Sequence, residues 1–133
     1  MPPTIYIAMS RYLIEYYIRG AISRGQEVCQ FLGGFVHDGQ PALRYLIIRA
    51  ESDGIVLSMY ECEDPQDEAW HDITSFGELD GAEPGESAAE HHCATLDEAL
   101  ALATVEYGGR ADRWVNQGVL DDEYSDYVRG GHS

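Results

Sequence analysis

The residue types here that most readily do chemistry are Cys62, His71, His91, His92 and Cys93, all possible metal ligands. Zinc ligands come as close pairs, and His91, His92 and Cys93 are adjacent. On an extended strand, neighbours point to opposite faces, so His91 and Cys93 share a side that His92 does not. The spacing matches no common zinc pattern. A strand before a helix, with a buried cysteine and exposed histidine, accounts for the segment, and no metal is expected. Calcium would need acids at alternating loop positions around a turn glycine. Glu78, Asp80 and Glu83 around Gly81 offer this only loosely, without EF-hand spacing. The sequence contains no GxSxG, GxGxxG or P-loop. No catalytic residue, cofactor or enzymatic activity is therefore assigned. Cys29, Cys62 and Cys93 are odd in number and widely spaced, without a CxxC, which reads as reduced thiols.

What the sequence has in abundance is carboxylate. The 133 residues carry 24 acids against 8 bases, a net charge of −16. Every base is arginine. This balance argues against nucleic-acid binding, which needs clustered cations, and against docking on an anionic membrane. No apolar run is long enough to span a bilayer. The N-terminus lacks a basic start followed by an apolar core, so no secretory signal is read and a cytoplasmic location is expected.

The charge is unevenly placed. Between Arg49 and Arg110 there are 16 acids and no base, while the flanking segments nearly cancel. One reading is a solvated face, with salt adaptation as a variant. The other is a docking surface for a strongly basic partner, since complementary fields speed association and reject wrong partners. Trp70 beside Asp67, Glu68 and Asp72 favours docking, because an aromatic anchor ringed by charge is the make-up of an interface hot spot. The contact residues are expected to be Glu63, Asp64, Asp67, Glu68, Trp70 and Asp72, with Glu78, Asp80, Glu83 and Glu86 as a second group.

These residues need a scaffold, and the pattern predicts one domain over 1–133 with an acidic, loop-rich section at 61–90. Tyr12, Ile14, Tyr16 and Ile18 alternate with polar residues, which predicts a strand over 11–19. A helix with Leu13, Tyr17 and Ala21 on one face is the competing reading. Strands are predicted at 28–36, 43–50 and 55–61, separated by the Asp38-Gly39 and Asp53-Gly54 turns. Gly33-Gly34 within the first of these suggests a bulge or a close backbone approach. A fifth strand is possible over 69–76, and 77–90 reads as a long loop. Thr95 and Glu98 form a capping box. Leu96, Ala99, Leu100, Ala103 and Tyr107 then make one face of an amphipathic helix that Gly108-Gly109 ends. A short helical tail is predicted over 120–128, with Leu120, Tyr124 and Tyr127 on one side. The fold class is α+β: an antiparallel meander of four to six strands with a C-terminal amphipathic helix on one face and a helical tail.

The run from Thr95 to Trp114, TLDEALALATVEYGG followed by RW, resembles the closing element of small bacterial immunity proteins of polymorphic and contact-dependent toxin systems. The matching residues are Thr95, Glu98, Ala99, Ala103 and Trp114. The resemblance implies a non-catalytic antitoxin whose partner is a basic toxin domain of nuclease or deaminase type. It carries over no binding residue by position. Two alternatives are a DNA-mimic inhibitor of the anti-restriction or anti-CRISPR type, and a small ligand-binding or enzymatic domain using a sheet face lined by Tyr12, Tyr16, Tyr45 and Tyr60. The oligomeric state is open.

Overall fold

A computed structural model describes residues 11–66 and 87–129. The chain opens with helix α1 (Glu15–Ser23), then forms β1 (Val28–His37), β2 (Gln40–Glu51) and β3 (Gly54–Glu63). Next come β4 (Ala89–Cys93), α2 (Leu96–Tyr107), the two-residue β5 (Val115–Asn116), a 3-10 turn and α3 (Leu120–Arg129). The strands form one sheet in the order β4-β3-β2-β1-β5, with every pairing antiparallel. This is the α+β meander the sequence predicts.

The two Asp-Gly turns close the β1–β2 and β2–β3 hairpins. Asp38 and Gly39 both take positive φ, at 51° and 77°, as a tight hairpin turn requires. The register slips between Phe31 and Gly33, and Gly33 has φ 109°, which fits the expected bulge.

The pleat divides the interior into two cores. Leu46, Ile48, Leu57 and Met59 face α1 and α2, and meet Ile18, Ile22, Leu96, Ala99, Ala103 and Trp114. Leu43, Tyr45, Ile47 and Cys62 point the other way and meet Leu120 and Tyr124 of α3. The amphipathic helix α2 thus covers one face and the helical tail closes the opposite one. Alternate residues of β2 are buried on both sides, so this strand reads as a nearly continuous apolar run.

Of the expected strand over 11–19, residues 15–19 are instead the start of α1, and 11–14 lie in no helix or strand. Ile18, Ala21 and Ile22 are buried at i, i+3 and i+4, whereas Tyr16 is 75% exposed. Ile14, Ile18 and Ile22 satisfy a period of two and a helical i, i+4 spacing alike, so alternation alone could not separate them. Packing decides: a helix lays Ala21 and two isoleucines against the sheet, and Gly25 in the left-handed region stops it. The competing helical face was also wrong at Tyr17, which is 51% exposed. At α2, Thr95 Oγ1 accepts from Glu98 N as expected, but Glu98 reaches back to Ala94 N rather than to that of Thr95. Leu100 is only half-buried. The predicted loop at 77–90 ends earlier than expected, because Ala89 and Glu90 already pair in β4. The possible strand at 69–76 lies outside the described residues.

Candidate interaction surface

All eight arginines fall within the described residues, and six of them are bound to carboxylates. Arg11 holds Glu123 at 2.8 Å and Asp126 at 2.7 Å. Arg19 pairs with Glu15 and Asp97, Arg44 with Glu61, Arg49 with Glu51 and Glu90, Arg110 with Asp112, and Arg129 with Asp126. Arg113 donates to Tyr12 Oη at 2.8 Å and lies over its ring, and Arg24 donates to Gln26. The exposed pairs among these, such as Arg110–Asp112 and Arg129–Asp126, each contribute little to stability. Their consequence is electrostatic. Six of the eight cations are matched by carboxylates within the sheet-and-helix frame, and the segment 67–86 brings seven further carboxylates and no lysine or arginine. The pairing is visible in acidity: Arg49 lowers the pKa of Glu90, and Arg129 with Arg11 lowers that of Asp126.

Of the expected contact residues, two can be placed. Glu63 is exposed at the end of β3 and makes no ion pair among the described residues. Asp64 is half-buried and turned inward, accepting from Tyr124 Oη at 2.6 Å and from Gln66 N at 2.8 Å. It ties α3 to the sheet, a structural task that the sequence reading did not give it. Asp67, Glu68, Trp70, Asp72, Glu78, Asp80, Glu83 and Glu86 lie outside the described residues.

The metal-ligand types do not assemble. His91 meets Tyr107 Oη at 2.5 Å on the α2 side of the sheet, and Cys93 packs on that side too. His92 points outward toward Glu90, and Cys62 sits in the core on the α3 side. Among the described residues no group of three or more His, Cys, Asp or Glu converges, and His71 lies outside them. Cys29 is deeply buried, and burial, with Glu27 and Asp121 adding to it, pushes its thiol up to about 12. Of the four tyrosines expected to share a ligand-binding face, three pack in the α3-side core: Tyr45 stacks on Tyr60, and Tyr12 packs there while bonding Glu123. Tyr16 does not join them and projects from α1.

One cleft among the described residues was not anticipated. It is open, about 460 Å³, and its floor is β1 from Gln30 to Gly34. One wall is the α2–β5 connection with Arg110 and Arg113, and the other is α3 with Asp126 and Tyr127. Gln30 is 2% exposed, and its amide clasps the backbone of Arg110 both ways: Nε2 donates to Arg110 O at 3.0 Å, and Arg110 N donates to Oε1 at 2.7 Å. Gly34 lets Tyr127 cross the strand, since a Cβ there would fall 1.9 Å from Tyr127 Oη. The Gly33-Gly34 pair was the sequence signal for both the bulge and this close approach. No protein-family model, curated protein or solved structure matches the chain. Among the described residues no helix is long and apolar enough to cross a membrane.

Proposed function

We propose that this protein is a non-catalytic immunity protein, an antitoxin that binds a basic bacterial toxin domain through an acidic surface. The observation that carries the reading is the partition of charge. Six of eight arginines are neutralised within the frame, while 67–86 holds seven carboxylates and no cation. A protein needing acids only for hydration could spread them; here seven fall within 67–86, which also holds Trp70 and follows closely on Glu63. Concentrated charge steers a basic partner and fixes its orientation. The resemblance of 95–114 to the closing element of immunity proteins points the same way. Glu63, Asp67, Glu68 and Asp72 are the proposed contacts, and the partner is of nuclease or deaminase type.

The test is direct. The gene beside this one is expressed as its C-terminal domain, and its toxicity and binding are measured with and without this protein. Inhibition with one-to-one binding supports the reading. A domain that is toxic but neither bound nor inhibited overturns it. Binding to a restriction or CRISPR nuclease instead would replace it with DNA mimicry.

A further inference from the structure

The cleft on β1 has carboxylates on one wall and arginines on the other, and only the arginines have binding capacity left. Glu123 accepts from Arg11 and from Tyr12 Oη, each at 2.8 Å. Asp126 pairs with Arg11 and Arg129. The arginines are not matched in this way. Arg113 meets no carboxylate among the described residues. Arg110 meets only Asp112, at 3.3 Å, with the two side chains 63% and 68% exposed. Water screens such a pair strongly. The uncompensated charge of the cleft is therefore cationic.

Both arginines are held in place. Arg113 N donates to Arg110 O at 3.2 Å, so they stand at the two ends of one β-turn, which Gln30 clasps from β1. Arg113 is fixed at its head as well. It lies over the Tyr12 ring, 4.8 Å from the centroid, and its Nη1 donates to Tyr12 Oη. Tyr12 in turn donates to Glu123, which Arg11 anchors. Glu123 thus acts as a strut behind the arginine rather than as a receptor for a cation. A guanidinium carries five N–H donors in a fixed fork, and Nε and Nη2 of Arg113 meet no acceptor among the described residues.

The floor and the far wall supply an aromatic surface and a backbone donor. Phe31 and Tyr127 meet edge to face, with centroids 5.3 Å apart. At Gly33 a Cβ would meet nothing within 4 Å, so the floor there is open. Pro41 O accepts from Asp64 N, so Pro41 and, by alternation, Leu43 turn their backbone groups toward β3. Gly34, opposite Leu43, therefore turns its N–H away from β2, and β5 ends before reaching it.

We propose that this cleft binds a small organic anion, an aromatic carboxylate, with its head on Arg113 and Arg110 and its ring against Phe31 and Tyr127. A planar carboxylate fits the guanidinium fork through two parallel hydrogen bonds. Rings pack on one another edge to face or offset, which the Phe31–Tyr127 pair offers. The volume of about 460 Å³ lies within the roughly 300–1,000 Å³ of small-molecule sites. A cationic ligand is disfavoured, because both carboxylates of the cleft already hold arginines. The net charge of −16 opposes an anion at long range, but salt screens that field over about 8 Å, and the arginine contacts are made inside that distance. The inference does not rest on the antitoxin reading.

The probes are 2-naphthoate, its neutral amide and the cationic 2-naphthamidine, which share a ring system and differ in the charge of the head group. Each is titrated into the isotope-labelled full-length protein and followed by amide shifts. The expected result is that naphthoate moves the amides of Phe31, Gly34, Arg110 and Arg113 and binds tenfold or more tighter than the other two. Arg113→Gln and Arg110→Gln should each weaken naphthoate fivefold or more. Arg24→Gln is the control: it removes the same charge from outside the cleft and should leave the affinity within twofold. Thermal melts show whether each variant is folded, and if an arginine variant is not, the order of the three probes on the wild type decides alone. Naphthamide or naphthamidine binding as tightly as naphthoate overturns the inference. So does a loss from Arg24→Gln equal to that from Arg113→Gln, a set of shifts centred elsewhere, or no binding of naphthoate at millimolar concentration.

Discussion

Gln30→Leu is expected to cost this protein about 2–4 kcal/mol. The substitution nearly preserves volume and removes both hydrogen bonds to the Arg110 backbone. Each such bond contributes roughly 0.5–1.5 kcal/mol net, and a buried backbone group left without its partner costs about 1–3 kcal/mol. The Arg110 side chain is exposed, so water can reach part of the freed backbone, which keeps the total below the sum of the full penalties. The leucine recovers some transfer energy, because Gln30 lies on the α2 side of the sheet opposite Leu46. Urea denaturation provides the measurement. The midpoint should fall at unchanged m, and the melting temperature should drop by roughly 3–6 °C per kcal/mol for a domain of this size. Proteolysis should open the 108–113 connection first, since its anchor to β1 is gone. A change under 0.5 kcal/mol would refute the reasoning, showing that the connection is held by other contacts.

Three further outcomes follow from the same geometry. Gly34→Ala should cost about 1–2 kcal/mol by expelling the Tyr127 ring from its contact with Phe31, yet cost little in a Tyr127→Ala background. Additive effects in that double-mutant cycle would contradict the close approach. Thr95→Ala should cost about 1 kcal/mol through the lost cap to Glu98 N, measured by thermal unfolding. The Cys29 thiol, raised from 9 to about 12, keeps its proton in the folded state while the unfolded state loses it. Its contribution is intact below pH 9 and is lost between pH 9 and 12, at about 1.4 kcal/mol per pH unit. Cys29→Val should flatten that slope in alkaline denaturation, and an unchanged slope would assign it to other groups.

The hairpins were legible because Asp-Gly turns between apolar runs carry their geometry locally. Helix α2 was legible for a similar reason, since Thr95, Glu98 and Gly108 mark its ends within a few residues. Helix α1 was not, because Ile14, Ile18 and Ile22 fit two periodicities and only contact with the sheet separates them. β5 is two residues long, too short for any pattern. The placement of α3 opposite α1 and α2 depends on the parity of the whole of β2, which no local signal states. Glu63 and Asp64 look alike in sequence, but a bond from Tyr124, sixty positions away, turns Asp64 inward. The cleft draws on β1, the α2–β5 connection and α3 together, so only the glycine pair hinted at it.

The central claim is that carboxylates near 67–68 dock a basic partner, and one measurement bears on it most directly. The association rate with the neighbouring toxin domain is followed by stopped flow from 0.1 M to 1 M salt. Three proteins are compared: the wild type, an Asp67→Lys/Glu68→Lys variant, and an Asp53→Lys/Glu106→Lys control in which both altered residues are exposed and unpaired among the described residues. Screening shortens from about 10 Å to about 3 Å over that range. The account predicts a wild-type rate that falls steeply with salt. Reversal at 67 and 68 should slow association and weaken affinity far more than the control does. Equal effects from the two variants would contradict the assigned docking surface.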